Sequence, residues 1–184
     1  MERNGFFITD TLVYYTHTYR NFQPLSLTGD YTIRLFRPDE PAEVREIAKR
    51  TFAGYFGHYH ADDRLDKKKC DEVYADWSYR SCAEKTERDD VFVVDEGGKM
   101  IGFATMRLNS DVEGEGVLFG VVPEAQGKGI YRQLILNAMN WCYERKCERI
   151  IVSTQINNIA VQKVWTRAGF EIAYAYYTFH KWMD

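Results

Sequence analysis

Apolar residues recur along this chain with two periods, and the switches between them outline its elements. From Tyr31 to Arg37, Ile33 and Leu35 alternate with Thr32 and Arg34, the two-residue period of a strand. Pro38-Asp39-Glu40-Pro41 reads as a helix start with acids in its first turn. Val44, Ile47, Ala48, Thr51 and Phe52 form the apolar stripe of that helix. Residues 53–66 follow no period and make a polar loop with two histidines. A second helix is predicted from about Lys67 to Cys82, with Cys70, Val73, Trp77 and Ser81 inward. Val91–Val94 and Met100–Leu108 flank Glu96-Gly97-Gly98-Lys99, the signal of a hairpin. Asn109–Gly116 reads as an acidic, flexible loop. Gly116–Val122 is a short apolar run, a buried strand ended by Pro123, which cannot donate to a ladder. Ile130, Leu134, Ile135, Ala138, Met139 and Cys142 then recur at helical spacing, so a helix begins near Gly129. Arg149–Thr154 is a further strand. The last helix carries Val161, Val164, Trp165 and Ala168 on one face and ends at Gly169. Residues 170–182 close as a long aromatic strand.

The first thirty residues stand apart from this order. Gly5-Phe6-Phe7-Ile8 and Leu12-Val13-Tyr14-Tyr15 read as extended chain interrupted at Thr9-Asp10, and residues 23–30 as a turn-rich connector. Gly169-Phe170 and Tyr176-Tyr177-Thr178 echo Gly5-Phe6 and Tyr14-Tyr15-Thr16. Residues 1–22 are then either the last strand of a decayed half-repeat or a chance likeness between aromatic strands. The expected division is a strand and connector over 1–30 and a domain over 31–184.

Composition narrows the function classes. A chain of 184 residues suits one domain with a real core, and a hydrophobic share of 45% with 28% charged residues is that of an ordinary globular protein. A net charge of -3 argues against a nucleic-acid surface, and no apolar run approaches a membrane span. Met1-Glu2-Arg3-Asn4 leads into only a short apolar patch, so no signal peptide and a cytoplasmic chain are expected. Cys70, Cys82, Cys142 and Cys147 lack metal-site spacing, so they are expected to be reduced thiols, with no metal bound.

The chemistry concentrates at Gly120–Ile130. A strand, a tight glycine turn and a helix aim free N–H groups and a positive helix end at an anion. Gly127 and Gly129 let the backbone approach it without a Cβ in the way. A mononucleotide loop needs Ser or Thr after Gly-Lys, and Gly129 stands there. A dinucleotide fingerprint needs a third glycine where Arg132 stands. A ligand-free glycine turn is the bland alternative.

Gln126-Gly127-Lys128-Gly129-Ile130, entered through Val121-Val122-Pro123, resembles the coenzyme A pyrophosphate loop of the GNAT N-acetyltransferase superfamily. Asn158, Val164-Trp165 and Gly169-Phe170 resemble a second family segment, Asn-x-x-Ala-x-x-Leu-Tyr-x-x-x-Gly-Phe. The resemblance implies an α/β fold. Its mixed, largely antiparallel twisted sheet is flanked by helices, and a splayed parallel strand pair holds acetyl-CoA. It implies cofactor contacts at Val121, Val122, Gln126, Gly127, Lys128, Gly129, Ile130, Tyr131, Asn158 and Trp165. Backbone N–H groups near Val121 and Val122 would polarise the thioester carbonyl. A base would take a proton from the incoming amine, and an acid would help the thiolate leave.

The chain departs from the family at Trp165, where the frequent acid is tyrosine, because an indole does not give up a proton as a phenol does. Tyr131, Tyr176, Tyr177 and His180 are the candidate replacements. His58, His60 and His180 are the candidate bases, and His60 leads because Asp62 and Asp63 are near it in the loop. Gly5-Phe6 with Asp10-Thr11-Leu12, His60-Ala61-Asp62, Tyr74-x-x-Trp77, Thr154-Gln155 and Phe179-His180-Lys181-Trp182 look similar to bacterial acetyltransferases of nucleotide-linked amino sugars, the TDP-fucosamine type. The acceptor is then an amino sugar or its nucleotide conjugate. Another small amine, a peptide N-terminus, or coenzyme binding without turnover stand as alternatives. GNAT domains are often dimers, and the aromatic last strand is the candidate for pairing across a two-fold axis.

Overall fold

Strand β4 (Lys99–Leu108) is buried from Met100 through Met106, on both faces, and the sheet extends outward from it. The computed structural model describes residues 2–183. On one side of β4 lie β3 (Asp89–Glu96) and the short β2 (Thr32–Leu35); on the other lies β5 (Glu113–Val121). Beyond β5 come β6 (Arg149–Gln155), β1 (Phe7–Thr18) and β7 (Glu171–His180), giving seven strands in the order β2-β3-β4-β5-β6-β1-β7. The β5–β6 pair is parallel and the others are antiparallel. This is the fold class that the family resemblance implied.

Four helices flank the sheet: α1 (Pro41–Thr51), α2 (Lys67–Ala83), α3 (Ile130–Glu144) and α4 (Ile159–Arg167). All six residues of the α3 stripe named from periodicity are buried, because α3 crosses from β5 to its parallel neighbour β6 and must lie against the sheet. Helix α2 is turned from its expected face. Cys70, Tyr74, Ala75, Ser78 and Cys82 are buried, whereas Val73, Trp77 and Ser81 are only half-buried. Two competing apolar stripes ran along it, and packing against α1 chose between them. Asn109–Gly116 is also corrected: only a short turn around Ser110–Val112 is loop, and the strand starts at Glu113. Glycines at 114 and 116 hid that start from a hydrophobicity pattern.

Helix α4 ends in a Schellman motif. The Phe170 N–H reaches the Trp165 carbonyl at 3.0 Å, the Gly169 N–H reaches Thr166 at 3.1 Å, and Gly169 takes φ +89°. Trp165 and Phe170 then pack in the same core cluster with Val13, Met139 and Ile150.

Strand β1 runs without a break through Thr9-Asp10, where a register shift between Ile8 and Asp10 absorbs the irregularity. It pairs with β6 from Leu12↔Gln155 to Thr18↔Arg149 and with β7 from Phe7↔His180 to Thr16↔Glu171. The connector that follows is pinned to α3. Asn140 exchanges hydrogen bonds with the Leu25 backbone, and Gln133 does so with Thr28.

One local departure positions the site. Parallel pairing of β5 and β6 lasts from Glu113↔Arg149 to Gly116↔Val152 and then stops. Val117 is the extra residue of a bulge against β4, between the pairs Met106↔Gly116 and Thr105↔Leu118. Past it β5 follows β4, to Gly102↔Val121, while β6 follows β1, to Leu12↔Gln155. The two strand ends therefore part in a V.

Candidate active site

The V opens into a cavity of about 270 Å³. Val117, Leu118 and Phe119 line it from β5, Ser153, Thr154 and Gln155 from β6, and Asp10 and Leu12 from β1. Tyr55, His58 and Tyr59 come from the aperiodic loop, Tyr74 and Trp77 from α2, Tyr131 from α3, and Asn158 and Trp165 from α4 and its cap. The walls combine aromatic and aliphatic side chains with convergent polar groups, the usual make-up of a small-molecule site.

The glycine turn leads into α3, whose second residue, Tyr131, lines the cavity. Gly127 and Gly129 take φ of +78° and +80°, which only glycine adopts freely, and Gly129 is the N-cap. The first bond inside the helix runs from the Gln133 N–H to the Gly129 carbonyl. The N–H groups just before it have no helical partner, and they carry the positive end of the helix dipole. A Cβ at either glycine would meet nothing within 4 Å, so the space over the turn is open.

Along β5 the alternation of the ladder decides which N–H groups face the V. The Val122 N–H donates to the Ile101 carbonyl at 3.0 Å and is committed to the sheet. Phe119 and Val121, odd in the alternation, turn their N–H groups the other way, toward the β6 side. The Gln126 Nε2 donates to the Val121 carbonyl at 2.9 Å, on that same side. Of the two valines named from sequence, Val121 therefore presents its N–H to the V and Val122 does not.

The remaining sequence-named residues fall in different places. Lys128 is half-exposed and 3.9 Å from Glu96, and Ile130 is core. Asn158 caps α4, accepting from the Val161 N–H at 3.5 Å, while its amide donates to the Thr154 hydroxyl at 2.9 Å. Trp165 is 2% exposed, and its Nε1 has no hydrogen-bond partner. Tyr131 shares the cavity wall with it, and burial pushes the Tyr131 phenol well above its ordinary range. Tyr176 and Tyr177 are exposed on β7 and do not line the cavity.

The histidines are sorted by their partners. His60 does not line the cavity: its Nε2 is 3.0 Å from Asp71, and its Nδ1 accepts from the Gly57 N–H at 3.4 Å. His58 does line it, and its Nδ1 lies 3.4 Å from the Nε2 of His180. The His180 Nδ1 is in turn 2.9 Å from the buried carboxylate of Asp62, which also accepts from the Trp182 indole at 3.0 Å and the Arg64 N–H at 3.0 Å. Burial pushes the Asp62 carboxyl up, but the His180, Arg64 and Trp182 donors outweigh it and hold it below the usual carboxylate range. Burial, reinforced by His180, holds the His58 imidazole below its ordinary value. Asp10, beside His58, is raised by burial.

Asp62, His180 and His58 thus form a chain that ends in the cavity. Sequence reasoning weighed His58 and set it behind His60. It quoted Asp10, Tyr74 and Gln155 only as parts of motifs and Tyr55 only as part of the aperiodic loop, and gave none of them a place in the site, because nothing periodic marks which residues of loops and strand ends face inward.

Residues 42–170, well over half of the chain, match the acetyltransferase (GNAT) family. The chain is 25% identical over 148 residues to the spore coat polysaccharide biosynthesis protein SpsD of Bacillus subtilis, covering 79% of this chain and 50% of that protein. It is 29% identical over 144 residues to the mycothiol acetyltransferase of Saccharopolyspora erythraea, covering 76% of this chain and 43% of the other. It thus spans about half the length of these relatives. Among solved structures it resembles the PaiA N-acetyltransferase of Thermoplasma acidophilum in complex with coenzyme A. The TM-score is 0.59 at 16% identity, over 83% of this chain and 99% of that one. With the two motifs set at the mouth of a parted β5–β6 pair, the match places this chain in the GNAT acetyltransferase family.

Proposed function

We propose that this chain transfers an acetyl group from acetyl-CoA to a primary amine of a small molecule, an amino sugar or a nucleotide-linked amino sugar. The observation that carries the proposal is the glycine turn at 127–129, whose unpaired N–H groups stand beside a V-shaped cavity with a bulge at its apex. The turn suits a pyrophosphate, and the aromatic cavity suits an acyl arm and a ring. The coenzyme A bound to the Thermoplasma relative supports the choice of donor, and the polysaccharide relative supports a sugar acceptor.

Bound there, acetyl-CoA would supply the acetyl group as an activated thioester. In this proposal Gly127, Lys128, Gly129, Ile130 and Tyr131 hold the pyrophosphate through backbone N–H groups, with Gln126 bracing the turn on Val121. The N–H groups of Phe119 and Val121 point where carbonyl charge develops. His58, oriented by His180 and Asp62, takes the proton of the incoming amine, the role that sequence alone gave to His60. Tyr131 keeps its proton at neutral pH and serves as the acid. Trp165 contributes an N–H beside it. The sugar itself, a cytoplasmic setting and a homodimer through exposed β7 belong to the same proposal, as does β1 as the last strand of a half-repeat.

A calorimetric titration with acetyl-CoA tests it, for wild type and for Gly129→Glu, which sets a negative side chain where the pyrophosphate would lie. Tight binding by wild type, lost in a variant that still melts cooperatively, is expected. A folded wild type that binds no acetyl-CoA would overturn the proposal. Thiol release across a panel of amines then separates sugar from non-sugar acceptors, and binding without release on any amine would reduce the chain to a coenzyme-binding module.

A further inference from the structure

A second cleft, of about 200 Å³, lies beside the cavity, and Trp77 and Val117 line both. Its walls are the end of α2, the start of β3 and the end of β4. Val117 is the bulged residue where β5 leaves β6, so the two spaces flank the apex of the V, with Val117 and Trp77 between them.

Thr105 lines this cleft. It is 3% exposed, and its Oγ1 is buried with no hydrogen-bond partner among the described residues. An unpartnered buried hydroxyl costs stability, and valine would fill the same space without that cost. The position makes sense if the partner of the hydroxyl arrives with a ligand.

The charges indicate which ligand. Arg80, Lys85 and Arg107 line the cleft together with Glu84, Asp89 and Asp90, so the wall is balanced. The Lys85 Nζ donates to the Asp89 carbonyl at 3.0 Å and sits 3.4 Å from Asp90, and the Arg107 Nε is 3.4 Å from Asp89. Asp90 further accepts from the Trp141 indole and from Arg145. A phosphate would meet two cations already paired, Lys85 and Arg107, and three carboxylates that repel it, with Arg80 alone to offset them. A hydroxylated ring needs donors and acceptors together and an apolar surface to lie against, and Thr105, Ser81, Arg80, Glu84 and Trp77 offer those.

We propose that this cleft is the subsite for the hydroxylated ring of an amino sugar that carries no phosphate, with the amine directed toward Val117. It rests on the acetyltransferase reading above and narrows its acceptor from two classes to one.

The probes are D-glucosamine, D-glucosamine 1-phosphate and cyclohexylamine, the last a six-membered ring with an amine and no hydroxyls. Binding is followed by ligand-observed NMR on the protein without coenzyme, and acetyl transfer is measured separately. Glucosamine is expected to bind about tenfold more tightly than either other probe, a difference worth about one hydrogen bond. Thr105→Val should remove most of that preference, leave cyclohexylamine unchanged and not lower the melting temperature. Arg80→Ala, at an exposed position, should also weaken glucosamine alone. Equal binding of glucosamine and cyclohexylamine, tighter binding of the phosphate, or glucosamine binding indifferent to Thr105→Val would each overturn the proposal. Thr105-dependent glucosamine binding without any transfer would sink the acetyltransferase reading and leave the cleft standing. Transfer to cyclohexylamine and glucosamine alike, with Thr105→Val silent, would do the opposite.

Discussion

The Nδ1 of His180 lies 2.9 Å from the Asp62 carboxylate, and that contact decides where the protons sit on two imidazoles. A carboxylate only accepts, so the His180 Nδ1 carries a proton, and in the tautomer protonated there alone the Nε2 offers a lone pair. His58 Nδ1, 3.4 Å away, must then be the protonated nitrogen of that ring, which leaves its Nε2 free to accept. The buried carboxylate thus acts on the tautomer of an imidazole two side chains away.

His58→Gln should lower kcat about a hundredfold or more, the low end of what a general base contributes. Asp62→Asn keeps the shape but removes the charge that fixes the tautomers, and a loss of about tenfold is expected, with acetyl-CoA affinity unchanged in both. Steady-state kinetics beside calorimetry separates the two effects. An unchanged kcat in His58→Gln, together with a large loss in His60→Ala, would return the role to His60.

The pH dependence follows from burial. His58 is held below the ordinary 6.5, so it is neutral at pH 7 and the acid limb of kcat/KM should fall off below that value. The unfolded chain binds the proton at higher pH than the folded one does. Stability is therefore full above about 6.5 and declines as pH drops toward the folded value. Melting curves across pH 5–8 should show the slope in wild type and a shallower one in His58→Gln.

Tyr131→Phe should cut kcat by about a hundredfold and leave KM nearly alone, as removal of a positioned acid does. Burial raises the phenol, so no basic limb from its ionisation should appear near neutral pH in wild type. A variant with wild-type kcat would show that the leaving group departs without help from this residue.

Away from the cavity, Glu40 is 7% exposed and accepts from Arg34 at 2.7 and 2.9 Å and from the Arg37 N–H at 2.6 Å. The Arg34 hydrogen bonds, against the cost of burial, hold its carboxyl below the ordinary range. Glu40→Ala leaves the half-buried Arg34 with Asp95, 3.5 Å away, as its one carboxylate partner among the described residues, and should cost about 1–2 kcal/mol in chemical denaturation. Because the folded value is depressed, this contribution is full above about 4.5 and is lost as pH falls from there through the lower folded value.

What could be read without coordinates was local. The φ > 0 turn at Gly127 and Gly129, the Gly97-Gly98 hairpin, the α3 stripe and the cap at Gly169 each depend on residues a few positions apart, whose backbone preferences act wherever the chain goes. The family motifs are of this kind, so the glycine turn before α3 was legible before any fold.

Tertiary structure decided what lies between distant segments. The face of α2 was chosen by packing against α1, since its sequence carries two apolar stripes of similar strength. The position of β1 between β6 and β7 is a register between residues well over a hundred apart, such as Leu12 and Gln155. The Asp62–His180–His58 chain joins a loop to the last strand over a gap of 118 residues, and no spacing rule links them. A single residue, Tyr59, separates His58 from His60, and only the fold turns the first into the cavity and the second onto Asp71, because in an aperiodic loop direction comes from neighbours rather than from sequence.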